Sequence, residues 1–176
     1  KLLSEFYQQS KNYAVWNSSV FPATESVRME RIFVPRAKRV RELCRRHGIN
    51  GGTLLEVGAA FGTFCSAVRS LECFERIVAV EPTPGLAQTC REKGFETYEE
   101  TVESLSFPKS EADVVVAFEV IEHLGNPAEF IRRSSEFLRS GGLLICSCPS
   151  GVALGTMAFR EMARTVDHEH LNYFNP

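Results

Sequence analysis

The sequence has no Cys-x-x-Cys pair among its six cysteines, a single tryptophan and almost no excess of either charge. Scattered through apolar positions, Cys44, Cys65, Cys73, Cys90, Cys146 and Cys148 read as buried, reduced thiols. A formal charge of −2 argues against a general polyanion binder, so no nucleic-acid partner is expected. No apolar run approaches the ~20 residues of a membrane span and no signal peptide is visible, which makes a cytoplasmic protein without a membrane partner the expectation. A chain of 176 residues that begins at Lys1 reads as one domain of a fragment or processed protein.

One segment departs from this balance. Between Arg28 and Arg46 stand eight basic residues against Glu30 and Glu42. Val40, Leu43 and Cys44 recur there at helical spacing, so the charges are expected mainly on the wet face of an amphipathic helix, with an anion-binding role as the alternative.

Short β-rich runs then alternate with helical patterns, which implies a parallel sheet with helices on both faces. The expected strands are Thr53 to Val57, Arg76 to Val80, Phe95 to Tyr98, Asp113 to Phe118 and Leu143 to Cys148. Thr83 and Pro84 open one helix, and Asn126, Pro127 and Glu129 open another that Gly141-Gly142 should end. The organisation expected is an N-terminal lid or helical segment over 1–48 and a nucleoside-binding domain over 49–176.

The most informative stretch is Leu54-Leu55-Glu56-Val57-Gly58-Ala59-Ala60-Phe61-Gly62, with Glu81 following at the end of the second apolar run. A strand enters a glycine turn that opens a helix, and ~20 residues on an acidic side chain can accept both hydroxyls of a ribose. A dinucleotide turn requires glycine at the first, third and sixth positions. Here the third is Ala60 and the sixth Thr63, while Gly58 and Gly62 occupy the first and fifth, a spacing that fits GxGxG.

On these residues the chain resembles the class I S-adenosylmethionine (SAM) dependent methyltransferases of small molecules, whose first motif is an acidic residue, an apolar residue and GxGxG. The resemblance implies a Rossmann-like, doubly wound, mostly parallel sheet, and it covers Thr53 to Pro176; the two further strands that end the family's sheet are missing. It implies SAM as cofactor, S-adenosylhomocysteine as product and a small-molecule substrate. Glu56, Gly58, Ala59, Ala60 and Gly62 would then support the amino-acid end of the cofactor, and Glu81 with Pro82 the ribose. Thr101 and Val102 would meet the adenine. Phe118, Glu119 and Val120, at the head of Phe118-Glu119-Val120-Ile121-Glu122-His123-Leu124, match the family's fourth motif beside the methionine portion, with Glu122 and His123 bordering the active site.

His123, His168 and His170 are the candidates for a proton-accepting role. His168 and His170 lie on one face of an extended segment, but no third metal ligand stands at suitable spacing, so no metal is expected. Tyr13 is a candidate lid aromatic that could close over a sulfonium. The function expected is methyl transfer to an oxygen, nitrogen or carbon nucleophile of a sugar, quinone or similar metabolite. A non-catalytic SAM-binding scaffold and a nicotinamide-dependent oxidoreductase are the alternatives, and the oligomeric state is open.

Overall fold

The computed structural model describes residues 16–153, 157–158 and 170–175. A helical arm comes first: a π-helical turn at Trp16–Val20, α1 (Phe21–Arg28), a second π-helical turn at Met29–Phe33, and α2 (Val34–Arg46). The domain proper follows as β1 (Thr53–Val57), α3 (Thr63–Arg69), β2 (Arg76–Val80), α4 (Pro84–Glu92), β3 (Glu96–Tyr98), β4 (Ala112–Phe118), a 3-10 turn at Ile121–His123, α5 (Pro127–Phe137) and β5 (Leu138–Ser147). The strands form one parallel sheet in the order β3-β2-β1-β4-β5.

The two-residue period of the strands divides the core. Leu55, Val57, Val78, Val80, Val115 and Ala117 face α5 and pack with Phe130, Phe137, Leu105 and Phe107. Leu54, Val114 and Val116 face the other way, against Ala37, Val40 and Cys44 of α2 and Phe64, Ala67 and Val68 of α3. Ala79 and Cys65 meet Cys90 of α4 on that second side. The helix expected from the basic segment is therefore α2, and its apolar stripe is a core face. Asp113 clips the entry of β1 to β4, since its Oδ2 accepts the Thr53 amide at 2.7 Å while Oδ1 accepts Arg139 Nε at 2.5 Å.

Local differences from the expected boundaries have physical causes. Asn126 does cap α5, accepting the Glu129 amide at 3.1 Å. That helix nevertheless ends at Phe137, before Gly141-Gly142, because Leu138 is already extended and pairs with Ala112 of β4. A register shift between Ala112 and Val114 then absorbs the glycine pair inside β5. The thiols are all free, but only Cys44, Cys65 and Cys90 are buried; Cys73 and Cys148 are half-buried, and Cys146 is exposed on β5 at the edge of the sheet.

Candidate functional site

The carboxyl ends of β1, β2 and β4 converge on the glycine turn, the position where parallel α/β sheets bind ligands. Three alternate residues of the turn have positive φ: Gly58 at 76°, Ala60 at 48° and Gly62 at 65°. At Gly58 the requirement is doubled, because a Cβ there would lie 2.5 Å from Val120 Cγ2. The strand ends of β1 and β4 can approach this closely only because position 58 has no side chain. Ala60 takes the same left-handed region with a methyl group attached, at a cost of ~1–2 kcal/mol.

Four amides of the turn are engaged within the protein. Gly58 and Ala59 donate to the Val80 carbonyl at 2.9 and 3.1 Å, Gly62 donates to the Ala59 carbonyl at 2.8 Å, and Ala60 donates to Glu81 Oε2 at 2.9 Å. A pyrophosphate cradle needs such amides pointed at the ligand. The turn instead braces the carboxylate that follows β2.

Glu81 is 5% exposed, and its other oxygen accepts the Thr83 amide at 2.9 Å. Burial raises its pKa, while the bonds from Thr83 and Ala60 pull it back. Thr83 thus precedes α4 as expected, but its side chain makes no capping bond, and its amide serves Glu81 instead. Two of the roughly four acceptor positions of the carboxylate are occupied by these amides, leaving acceptor capacity on each oxygen. Pro82, next in the chain, is exposed.

Glu56 stands behind the turn on the α3 side of β1, 4% exposed, and Cys65 Sγ donates to its Oε2 at 2.9 Å. Burial pushes the Glu56 carboxyl up to about 8 against the opposing effects of Cys65 and Arg36. Arg36 is the residue that the sequence reading left unassigned within the basic segment. Its guanidinium lies over the Phe118 ring at 4.5 Å and 3.5 Å from Glu119 Oε1, which brings a cation from α2 to the end of β4. The signal available in the sequence was the charge cluster itself, but nothing in its spacing singles out Arg36.

Glu119, like Ala60, takes the left-handed region with a side chain attached, with φ 56°. Its amide donates to the Ser147 carbonyl at 2.9 Å, and Ser147 Oγ donates back to Glu119 Oε1 at 2.9 Å. This pairing holds Phe118, Glu119 and Val120 at the mouth between β1 and β4. Beyond β3, Val102 is buried in the α5-side core with Leu105 and Phe107, and Thr101 is partly exposed, within 3.2 Å of Ser104 Oγ.

The fold sets the His170 ring edge-on to His123, centroids 4.8 Å apart. The returning segment is tied down by Leu171 and Asn172 amides donating to the Glu122 carbonyl at 2.8 and 3.0 Å, and by Asn172 Nδ2 donating to the Leu124 carbonyl at 2.7 Å. His168 and Tyr13 lie outside the described residues. The arm still reaches the turn through α1: Phe21 meets Phe61 edge-to-face at 5.8 Å, and Glu25 Oε1 accepts Thr63 Oγ1 at 3.2 Å and Lys93 Nζ at 2.5 Å.

A sheet of order β3-β2-β1-β4-β5, a GxGxG-spaced turn and an acid at the end of β2 define a Rossmann-like domain of the class I SAM-dependent methyltransferase type. A methyltransferase-domain family model matches residues 29–176, and the chain belongs to that family, whose cofactor is SAM. A ubiquinone biosynthesis O-methyltransferase of Methylobacterium sp. (strain 4-46) is 27% identical over 118 residues, 59% of this chain and 47% of that protein. The protein of the same name from Xanthomonas oryzae pv. oryzae is 24% identical over 152 residues, covering 78% and 63%. The match covers less than half the length of the first curated relatives, from 21% to 47%. Among solved structures, a SAM-dependent methyltransferase from Thermotoga maritima superposes with a TM-score of 0.67 at 16% identity, over 93% of this chain and 74% of that one. The sugar N-methyltransferase KedS8 from Streptoalloteichus sp. gives 0.62 at 20% identity, over 71% and 53%. At such identities the superpositions establish the fold. No helix among the described residues is long and apolar enough to cross a membrane.

Proposed function

We propose that this domain binds SAM across the carboxyl ends of β1, β2 and β4 and transfers its methyl group to an oxygen, nitrogen or carbon nucleophile of a small metabolite. The observation that carries this reading is the bond from the Ala60 amide of the turn to Glu81, which braces a ribose-accepting acid at the end of β2. The nicotinamide alternative is disfavoured by the spacing of the turn, which has Ala60 and Thr63 where a dinucleotide turn has its second and third glycines. SAM supplies the reactive methyl as a sulfonium, so the protein has to bind, orient and keep water out.

Glu81 accepts from the ribose diol, with Pro82 beside it. Gly58, Ala59, Ala60 and Gly62 shape the turn, and Glu56 sits behind it on the side of the cofactor's ammonium. Arg36 faces the carboxylate of the methionine portion, because it is the cation that α2 delivers to Phe118 and Glu119. Phe118, Glu119 and Val120 border that portion, and Thr101 and Val102 border the adenine. Val102 would contribute through its backbone, since its side chain is in the core. His123 and His170, brought together at the end of β4, border the acceptor.

The described part of residues 1–48 acts as the lid segment, through the contacts of Phe21 and Glu25 with Phe61 and Thr63. The names of the relatives, a ubiquinone biosynthesis O-methyltransferase and a sugar N-methyltransferase, support a quinone-precursor or sugar acceptor. Free cysteines throughout suit a reducing, cytoplasmic setting, and a net charge of −2 suits a small-molecule rather than a nucleic-acid partner.

Calorimetry with S-adenosylhomocysteine and NAD in parallel tests the reading. Saturable binding of the first and none of the second is expected, and the reverse result overturns it. A screen of sugars and quinone precursors for SAM-dependent mass gain, run on the full-length protein, separates an enzyme from a SAM-binding scaffold.

A further inference from the structure

Glu122 is 1% exposed, and neither of its carboxylate oxygens has a hydrogen-bond partner among the described residues. Such a group costs several kcal/mol to keep charged unless something compensates it. The nearest grouping is informative. One carboxylate oxygen of Glu122 and one ring nitrogen each of His123 and His170 lie within 4.8 Å of one another. Two imidazoles and a carboxylate are the donors that hold catalytic zinc in open three-ligand sites.

We propose that Glu122, His123 and His170 form a binding site for a divalent cation of the zinc class. Bonds of ~2.0–2.1 Å from each donor would bring the three atoms to about 3–3.5 Å apart, a closure within reach of side-chain rotation about a 3-10 turn and an irregular segment. The segment carrying His170 is already anchored to that turn, because Leu171 and Asn172 donate to the carbonyl of Glu122 itself. The metal therefore needs no new chain path. Cys148, which follows β5, lies close enough to feel the Glu122 carboxylate but does not belong to the three-ligand group.

The consequence for chemistry rests on the methyl-transfer reading above. Three protein ligands leave an open position, and an acceptor hydroxyl bound there would ionise near neutral pH, releasing its proton to solvent. The oxygen's electron pair then forms the new bond to the methyl carbon, while the pair of the breaking sulfur–carbon bond returns to sulfur and leaves a neutral thioether. An acceptor with a second oxygen beside the first could chelate, which selects hydroxyl acceptors such as vicinal diols over amines. No metal was expected from the sequence because His168 and His170 lack a third partner in their own segment; Glu122 and His123 arrive from about fifty residues earlier in the chain.

Calorimetric titration of the metal-free chain with zinc chloride tests the site, with magnesium chloride as a separate titrant. The expected result is one saturable zinc site per chain, weakened at least tenfold in both Glu122→Gln and His170→Gln. Each variant's thermal midpoint without metal verifies that it is folded. Absence of saturable zinc binding in the wild type, or unchanged binding in both folded variants, overturns the site. S-adenosylhomocysteine titrated into the same wild-type sample keeps the two readings apart: its binding without zinc binding overturns the metal site alone, and zinc binding without it overturns the methyltransferase reading alone.

Discussion

Glu81 Oε2 accepts the backbone amide of Ala60 at 2.9 Å, so the acid that ends β2 also holds the turn that leaves β1. The residue proposed to accept the ribose is thus part of the scaffold of the turn. Glu81→Ala is expected to weaken SAM binding by roughly tenfold to a hundredfold, the equivalent of ~1.5–3 kcal/mol of charge-assisted hydrogen bonding. It should also lower the thermal midpoint, because the Ala60 and Thr83 amides lose their acceptor. Unchanged affinity by calorimetry would remove Glu81 from the site.

The turn itself separates two kinds of glycine position. Gly58→Ala is expected to destabilise the domain by about 1–3 kcal/mol, since the new methyl meets Val120 Cγ2 at 2.5 Å on a backbone with φ of 76°. Adding Val120→Ala should restore only the steric part, a coupling that a double-mutant cycle in urea measures. Ala60→Gly should do the opposite and stabilise by up to about 1 kcal/mol, the left-handed strain relieved less the entropy of a more flexible unfolded chain. A loss of stability in that variant would count against the strain.

Raising the pH should weaken the ligand-free protein. The Glu56 carboxyl, pushed up to about 8 by burial, keeps its proton in the folded state, where an unfolded chain releases it near ~4.3. Between those values the native state binds more protons, so this contribution is complete at acid pH and disappears as pH rises through about 8. Glu56→Gln removes the titration and should flatten the decline of unfolding free energy between pH 5 and 9, by at most about 1.4 kcal/mol per pH unit. Identical slopes for wild type and variant would place the titration elsewhere.

At the edge of the sheet β5 pairs with β4 and has no second neighbour among the described residues. Cys146, exposed on that strand, should react with a thiol reagent far faster than Cys65 or Cys90, which are buried. Amide exchange should likewise be faster in β5 than in β4. Equal protection of the two strands in a monomer would mean that β5 is covered.

Elements dominated by local chemistry were legible in the sequence. The alternation of apolar runs and helical patterns reveals the five parallel strands, and Asn126 announces the cap of α5, because pleat periodicity and capping depend on neighbours a few residues away. GxGxG spacing likewise reveals the turn. What the spacing does not show is the partner of each turn amide, since Val80 and Glu81 come from another strand. Arg36 is one of eight similar charges until α2 is docked. His170 finds His123 only through the return of the chain to β4, a contact invisible to any local pattern.

The central place of β1 has a consequence for how the molecule comes into being. Its first neighbour, β2, follows within a short stretch of chain, but its second, β4, begins at Ala112. A ribosome-bound chain that has exposed only the first half can form the β1-β2 pair and the bond from Ala60 to Glu81, yet it lacks Val120 against Gly58 and Glu119 against Ser147. The bond between the turn and Glu81 therefore uses only chain made early, while the contacts at the end of β4 wait for β4 and β5.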